Sequence, residues 1–325
     1  MSFTDWRPTA SWETLKIRAD MLKRIRAFFA DRNVLEVETP LLAHAGVTDL
    51  HLHNATTRLQ GPGLPKPTTF YLQTSPEYAM KRLLAAGSGA IFQIGKVVRD
   101  DEISRRHNPE FTLLEWYRPG FTDDDLIAET DRLLQVLLGT APADVLTYQA
   151  VFLQVLDADP LTPEGIAMIR RELETRGYGD ALATEEEPDV VLQLAMSVLV
   201  EPAIGQTKPC VVKNFPASQA ALARIHKDDS RVAHRFEVFY QGLELANGFW
   251  ELTDAHQQRA RFERDNAQRI ARGLAPQPID ERFLSALESG MPDCAGIALG
   301  FDRLVMLKIG ARSIEQVLTF PTLRA

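Results

Sequence analysis

Two cysteines in 325 residues, Cys210 and Cys294, leave no CxxC pair. A disulfide framework or a thiolate zinc site therefore has no residues to build on, and a reducing cytoplasm fits the chain. No apolar run reaches the roughly 18 residues of a membrane helix, and the opening Met1-Ser-Phe-Thr-Asp-Trp lacks the apolar core of a signal peptide. Lysine and arginine never form a block of five, and the net charge is −8, which argues against a large nucleic-acid footprint. Familiar catalytic signatures are missing too: neither GxSxG nor HExxH occurs. Gly89 to Val97 is one residue too long for a phosphate loop and ends in Val97, where Ser or Thr would have to bind metal. His51 and His53 have no third ligand nearby and read as a surface pair. Asn54-Ala55-Thr56 matches a glycosylation sequon, but without a secretory signal it carries no weight.

What is present is an ordinary globular composition, 45% apolar. Ser11 predicts the cap of a helix over 12–30, with Leu15, Met21, Leu22, Ile25 and Phe29 at helical spacing. Val34 to Leu42 reads as a strand interrupted by Pro40, and proline there predicts an edge or interface position. Gly61 to Pro67 is a loop, Phe70 to Gln73 a strand, and Thr74-Ser75-Pro76-Glu77 opens a helix to about Ala86 with Pro76 as its first residue. Ala90 to Val98 and Glu110 to Tyr117 form the arms of a hairpin. Helical patterns fill about 123–204, an insertion between two parts of one sheet. Strands resume at 210–215 and 235–252, a polar helix spans 254–272, and strand 295–300 leads into helix 302–309. Hairpins without βα alternation predict an α+β fold with an antiparallel sheet flanked by helices, in a single domain over 1–325.

Three constellations can carry chemistry. The hairpin from Arg99 to Glu115 holds Arg99, His107 and Phe111 near its tip: a guanidinium suits phosphate and an aromatic face suits a base. Gly296-Ile-Ala298-Leu-Gly300-Phe-Asp302-Arg303 supplies a second arginine behind a glycine-rich strand. In 235–251, a two-residue turn at Gln241-Gly242 would set Tyr240 opposite Leu243 and Glu237 opposite Ala246. Glu244 then becomes the diagonal neighbour of Glu237, at roughly 7 Å or less. Two carboxylates that close suit a hard cation such as Mg²⁺; alone, the pair also reads as two solvated glutamates. Asn247, Phe249 and Glu251 have the opposite parity to Glu244, so one shared pocket requires a β-bulge between Ala246 and Gly248.

Taken together, these segments resemble a class II aminoacyl-tRNA synthetase core of the lysyl type. Val34 to Leu42 looks like the first motif of that family, which builds a dimer interface; Arg99 to Glu115 looks like the second and Gly296 to Arg303 the third. The resemblance implies ATP and Mg²⁺. It places Arg99 on the α-phosphate and the substrate carboxylate, and Arg99 and Arg303 as the catalytic pair. Asp100, Asp101, His107 and Asn108 would line the ATP loop, with Glu244, Leu245 and Gly300 also at the nucleotide. Phe111 would stack on one adenine face and Arg303 on the other, while Glu237 and Glu244 hold Mg²⁺. Ser75, Pro76, Glu77, Glu115, Tyr117, Asn247, Phe249, Glu251 and Ala298 would line the amino-acid pocket, with Glu251 and Tyr117 meeting a distant ammonium.

Three departures refine the resemblance. The chain starts at the catalytic helix, without the N-terminal OB-fold that grips an anticodon, so no anticodon contact is expected. Ala298 stands where the family usually has glycine. Arg99-Asp100-Asp101 replaces the usual Arg-Asn-Glu. These features, with Thr74 to Tyr78, Phe215 to Ala220 and Leu245 to Phe249, resemble the shortened paralogues that attach (R)-β-lysine to a lysine of elongation factor P. The implied function is ATP-dependent formation of a β-lysyl adenylate and its transfer to that factor, by a cytoplasmic homodimer. Two alternatives remain at this stage: a truncated enzyme charging tRNA, and a non-catalytic amino-acid sensor.

Overall fold

A computed structural model describes residues 6–64, 66–100, 103–183 and 187–325. The chain forms two compact units, one from 1–120, 253–294 and 298–325, the other from 121–252 with 295–297.

The first unit opens with α1 (Trp12–Ala30), whose first turn is closed by Ser11 Oγ accepting from Thr14 N at 3.1 Å. The predicted strand over 34–42 is instead two short pieces, β1 (Leu35–Glu36) and β2 (Leu42–Ala43). The break at Pro40 has a direct cause: proline offers no N–H to a ladder and restricts the residue before it. β1 pairs in parallel with the later strand β5, whereas β2 pairs antiparallel with β4. β3 (Thr56–Leu59), which the sequence did not announce, and β4 (Thr68–Leu72) complete a three-stranded sheet with β2. α2 (Glu77–Ala85) begins one residue later than predicted, with Pro76 at the cap. β5 (Ile91–Val98) and β6 (Glu110–Pro119) form the hairpin in unbroken antiparallel register, from Ile91 opposite Tyr117 to Val98 opposite Glu110.

The second unit holds the helical segment: α3 (Asp123–Leu138), then β7 (Asp144–Thr147), α4 (Tyr148–Leu156), α5 (Pro163–Leu173), α6 (Gly179–Leu182) and α7 (Pro188–Ala195). Tyr148, Phe152, Ile169, Leu173 and Leu192 join Phe215 and Phe239 in one buried cluster. That cluster packs the helices onto β8 (Cys210–Pro216) and β9 (Val232–Tyr240). β9 turns through Gln241 and Gly242 into β10 (Leu243–Trp250). Both turn residues have positive φ, +50° and +69°, as a hairpin turn matched to strand twist requires.

The chain then returns to the first unit with α8 (Ala255–Ala271), capped by Asp254, and α9 (Glu281–Glu288), which the sequence reading missed. β11 (Cys294–Gly300) passes through both units and leads into α10 (Phe301–Ile309). Among the pairings of β1 to β10 described above, β1 with β5 and β7 with β8 are parallel and β2–β4, β3–β4, β5–β6, β8–β9 and β9–β10 are antiparallel. The fold class is the predicted one, antiparallel strands flanked by helices.

Gly248 lies opposite Phe236 across β9 and β10. A methyl group at Gly248 would meet the Phe236 ring at 2.4 Å, and that ring is fully buried. Gly248→Ala is therefore expected to lower stability by about 1–3 kcal/mol through overpacking, read as a fall in melting temperature.

Candidate active site

In the first unit, β6 carries the acidic end of the site. Glu115 is 1% exposed and its neighbour Tyr117 is buried. Ser75 Oγ donates to Glu115 Oε1 at 2.6 Å, and Tyr117 Oη donates to Oε2 at 3.2 Å. Burial, with the negative charge of Glu77 adding to it, pushes the Glu115 carboxyl up to about 8. The two hydroxyl donors and Arg99 pull the other way, but desolvation wins. Ser75 does double duty, since its Oγ also accepts from Glu77 N at 3.0 Å and so starts α2. Glu77 Oε1 in turn accepts from Lys81 Nζ at 2.5 Å, one helical turn on.

Arg99 leaves the end of β5 with its backbone N–H bonded to Pro109 O at 2.9 Å. Its guanidinium lies 5.1 Å from the centroid of the Phe111 ring, and its Nε points to Thr74 O at 3.4 Å. Further along the hairpin, Arg303 donates to His107 Nε2 at 2.8 Å, which leaves the His107 Nδ1 proton to bond Ser104 Oγ, also at 2.8 Å. The hairpin therefore fixes the tautomer of His107 and aims Arg303 with it. Asn108 does something more structural: its amide donates to Glu110 O and to Thr322 Oγ1, and its Oδ1 accepts from Thr322 N. Asp100 is exposed and makes a strand bridge with His53. Asp101 lies outside the described residues. Gly300 sits at the start of α10, and Ala298 is half-buried on β11.

α10 is anchored by an ion pair between buried Asp302 and half-buried Arg18. Asp302 accepts from Arg18 at 2.5 Å and from Thr112 N at 2.7 Å, and Arg18 also donates to Thr112 Oγ1 at 2.9 Å. This triad ties α1, β6 and α10 together one residue before Arg303.

In the second unit, the turn sets Tyr240 opposite Leu243, as the sequence predicts. The bulge, however, falls between Glu244 and Ala246, at Leu245, rather than between Ala246 and Gly248. The earlier slip puts Asn247, not Ala246, opposite Glu237, and Phe249 opposite Arg235. Glu244 stays opposite Phe239 and hence diagonal to Glu237. One extra residue therefore brings Glu237, Glu244, Asn247 and Phe249 to the same face. Glu251 follows β10, is fully buried, and its backbone oxygen accepts from Arg224 at 2.8 Å and 3.1 Å.

Arg235 organises this face, a role the sequence reading did not assign. It pairs with Glu237 Oε1, reaches Asn247 Oδ1 at 3.3 Å and Gln219 O at 2.6 Å, and lies 4.6 Å from the Phe215 ring centroid. Burial pushes the Glu237 carboxyl above its usual range, Arg235 opposes that shift, and Glu244 adds to it. Two neighbouring carboxylates, one buried and repelled by the other, form a hard-oxygen donor set that a divalent cation would neutralise, so the residues present fit Mg²⁺. The missed signal was alternation: Arg235 shares parity with Glu237 and ends opposite Phe249.

A family model for tRNA synthetases class II (D, K and N) matches residues 1–324. The chain belongs to the class II tRNA synthetase family. Among this synthetase's relatives, a protein of Vibrio cholerae is 53% identical over the full length of both chains and is named elongation factor P–(R)-β-lysine ligase. Relatives of the same name from Proteus mirabilis (53% identical, covering 99% of this chain and 98% of the relative) and Klebsiella pneumoniae (52%, covering 98% of each) also align end to end. No helix among the synthetase's described residues is long and apolar enough to cross a membrane.

Proposed function

We propose that this class II synthetase activates (R)-β-lysine with ATP and transfers it to the ε-amine of a lysine on elongation factor P. The observation that carries the reading is the acidic constellation of Ser75, Glu77, Glu115 and Tyr117, buried at Glu115 and Tyr117, in reach of Arg99's field. Such a constellation selects a substrate with both an ammonium and a carboxylate. The names of the full-length relatives supply which amino acid and which acceptor.

The chemistry needs no side-chain nucleophile. Arg99 holds the substrate carboxylate and offsets the charge that grows on the α-phosphate as the carboxylate oxygen attacks and pyrophosphate leaves. Phe111 and Arg303 bind the adenine, and His107 steadies Arg303 through its Nε2. Glu237 and Glu244 would hold Mg²⁺, which would supply charge neutralisation for the triphosphate. Glu251, Asn247 and Phe249 bind the amino acid, Glu251 carrying the charge for its distant ammonium. In the second step the acceptor amine attacks the acyl carbon of the adenylate, an amide forms and AMP leaves.

The protein works in the cytoplasm, in keeping with two buried cysteines that form no disulfide. It acts as a homodimer through the segment around Pro40, where Leu35 and Leu42 are 58% and 37% exposed. Pyrophosphate exchange tests the reading. Exchange that depends on (R)-β-lysine is expected; lysylation of bulk tRNA without modification of elongation factor P would favour a tRNA-charging enzyme instead, and no exchange with any lysine isomer would favour a sensor.

A β-amino acid carries its amine one carbon further from the carboxylate, and Ala298 replaces a glycine at the strand that would face it. Ala298→Gly is expected to admit α-lysine, raising its kcat/KM by roughly tenfold, in line with about 1–3 kcal/mol of crowding relieved. An unchanged ratio of the two lysine isomers would remove Ala298 from the discrimination.

A further inference from the structure

We propose that Gln93 is a further substrate-binding residue: its carboxamide oxygen accepts one N–H of the ammonium that Glu115 pairs with, and Gly95 leaves the space in which that amide lies. The proposal deepens the functional reading above, on which it rests, and names two residues that reading does not use.

The geometry lies within the first unit, on one face of the hairpin. Gln93 on β5 stands directly opposite Glu115 on β6, with Ile91 opposite Tyr117 and Val97 opposite Phe111. Directly opposed residues of an antiparallel pair share a face, their Cβ atoms roughly 4.5–5.5 Å apart. Gln93 is therefore on the face that carries Glu115, Tyr117 and Phe111. Ser75 reaches that face to bond Glu115 Oε1, and Arg99 meets it at the Phe111 ring. Gly95 is the next β5 residue on the same face. A Cβ at Gly95 would sit 3.0 Å from Gln93 Nε2, so the Gln93 side chain runs along the strand over Gly95, toward the Arg99 end.

The amide is enclosed and unmatched. Gln93 is 7% exposed, and among the described residues no donor reaches its Oε1, which is shut off from solvent. A buried amide oxygen without a donor is destabilising until one arrives. Thr74, the residue before Ser75, repeats the pattern. It is 2% exposed and its Oγ1 has no partner among the described residues, while its carbonyl meets Arg99 Nε at 3.4 Å.

An ammonium brings three N–H donors. Glu115 supplies the opposite charge, but each of its oxygens already accepts from a hydroxyl, Ser75 or Tyr117. A further carboxylate at position 93 would add its repulsion to that between Glu77 and Glu115. A neutral amide oxygen accepts an N–H without that repulsion. It also discriminates: a substrate with a methyl group in place of the ammonium leaves the Gln93 oxygen unmatched.

Gln93→Met keeps the length of the side chain and removes both polar atoms of the amide. KM for (R)-β-lysine should rise about tenfold, as for the loss of one hydrogen bond to a charged group, with KM for ATP unchanged. The melting temperature without substrate should hold or rise, because an apolar group replaces an unmatched polar one. An amide that served only the fold would give the opposite pair of results, a lower melting temperature and an unchanged KM. Gly95→Ala crowds the amide while leaving Glu115 and its two donors in place, and should raise KM for β-lysine several-fold. In the Gln93→Met background it should add nothing, because both changes act through one group.

The experiment is β-lysine-dependent pyrophosphate exchange in wild type, Gln93→Met, Gly95→Ala and the double variant, with thermal melts recorded with and without (R)-β-lysine. A folded Gln93→Met with the wild-type KM overturns the proposal, as does a Gly95→Ala effect that persists undiminished in the double variant. If Gln93→Met does not fold, Gly95→Ala decides: a several-fold higher KM for β-lysine alone supports the proposal, and an unchanged KM overturns it. A wild type that neither exchanges nor gains stability with any lysine isomer overturns the functional reading and this proposal with it. A responsive wild type beside an indifferent Gln93→Met overturns this proposal alone.

Discussion

Arg99→Ala is expected to cut β-lysine-dependent pyrophosphate exchange by about 10³-fold, with a melting temperature within a few degrees of the wild type. The side chain is half-buried; its Nε meets Thr74 O at 3.4 Å and its guanidinium lies 5.1 Å from the Phe111 ring centroid. The strand end at Arg99 is held by its own backbone N–H on Pro109 O, which alanine keeps. What alanine removes is the fork that, on the proposed function, grips a carboxylate and faces a phosphate as negative charge develops. Arg99→Lys keeps a charge without the planar fork and should recover only part of the loss. Exchange within tenfold of wild type for Arg99→Ala would mean that the charge on the α-phosphate is met elsewhere.

Glu251→Gln is expected to lower kcat/KM for (R)-β-lysine by about 10²–10³-fold, chiefly through KM, while KM for ATP moves by no more than a few fold. The carboxylate is fully buried just past the end of β10, where Arg224 donates to the Glu251 carbonyl. Glutamine preserves the shape and, on the proposed function, leaves a substrate ammonium without its counter-charge; losing one partner of a buried ion pair costs roughly 3–5 kcal/mol. Steady-state kinetics with β-lysine and ATP varied in turn separates the two effects. Equal changes in both KM values would point to a general loosening of the second unit.

Much of this molecule could be read from residue order. The long hairpin and its tight Gln241-Gly242 turn were legible because period-two alternation and a glycine at the turn leave few other arrangements. The gathering of Glu237, Glu244, Asn247 and Phe249 was legible as a conflict of parity, which only an extra residue could resolve. The position of that residue was not: either Leu245 or a residue beyond Ala246 repairs the alternation, and packing chooses between them. Val34 to Leu42 looked like one strand because apolar residues alternate there, yet Pro40 divides it between two different partners. Lys81 and Arg235 escaped notice for a shared reason. Each resembles an ordinary surface charge in sequence, and each becomes an internal counter-ion only when a distant element covers it, α9 over Lys81 and the Phe215 ring beside Arg235. Asn108 shows the reverse case, a residue expected to line the nucleotide whose amide is engaged with Thr322.

The most direct test is the intact mass of elongation factor P after incubation with this protein, ATP and each lysine isomer in turn. A gain equal to one β-lysyl group, formed with (R)-β-lysine and absent without ATP, is the predicted result. An unmodified factor, under conditions where the enzyme still exchanges pyrophosphate with β-lysine, would contradict transfer to that acceptor.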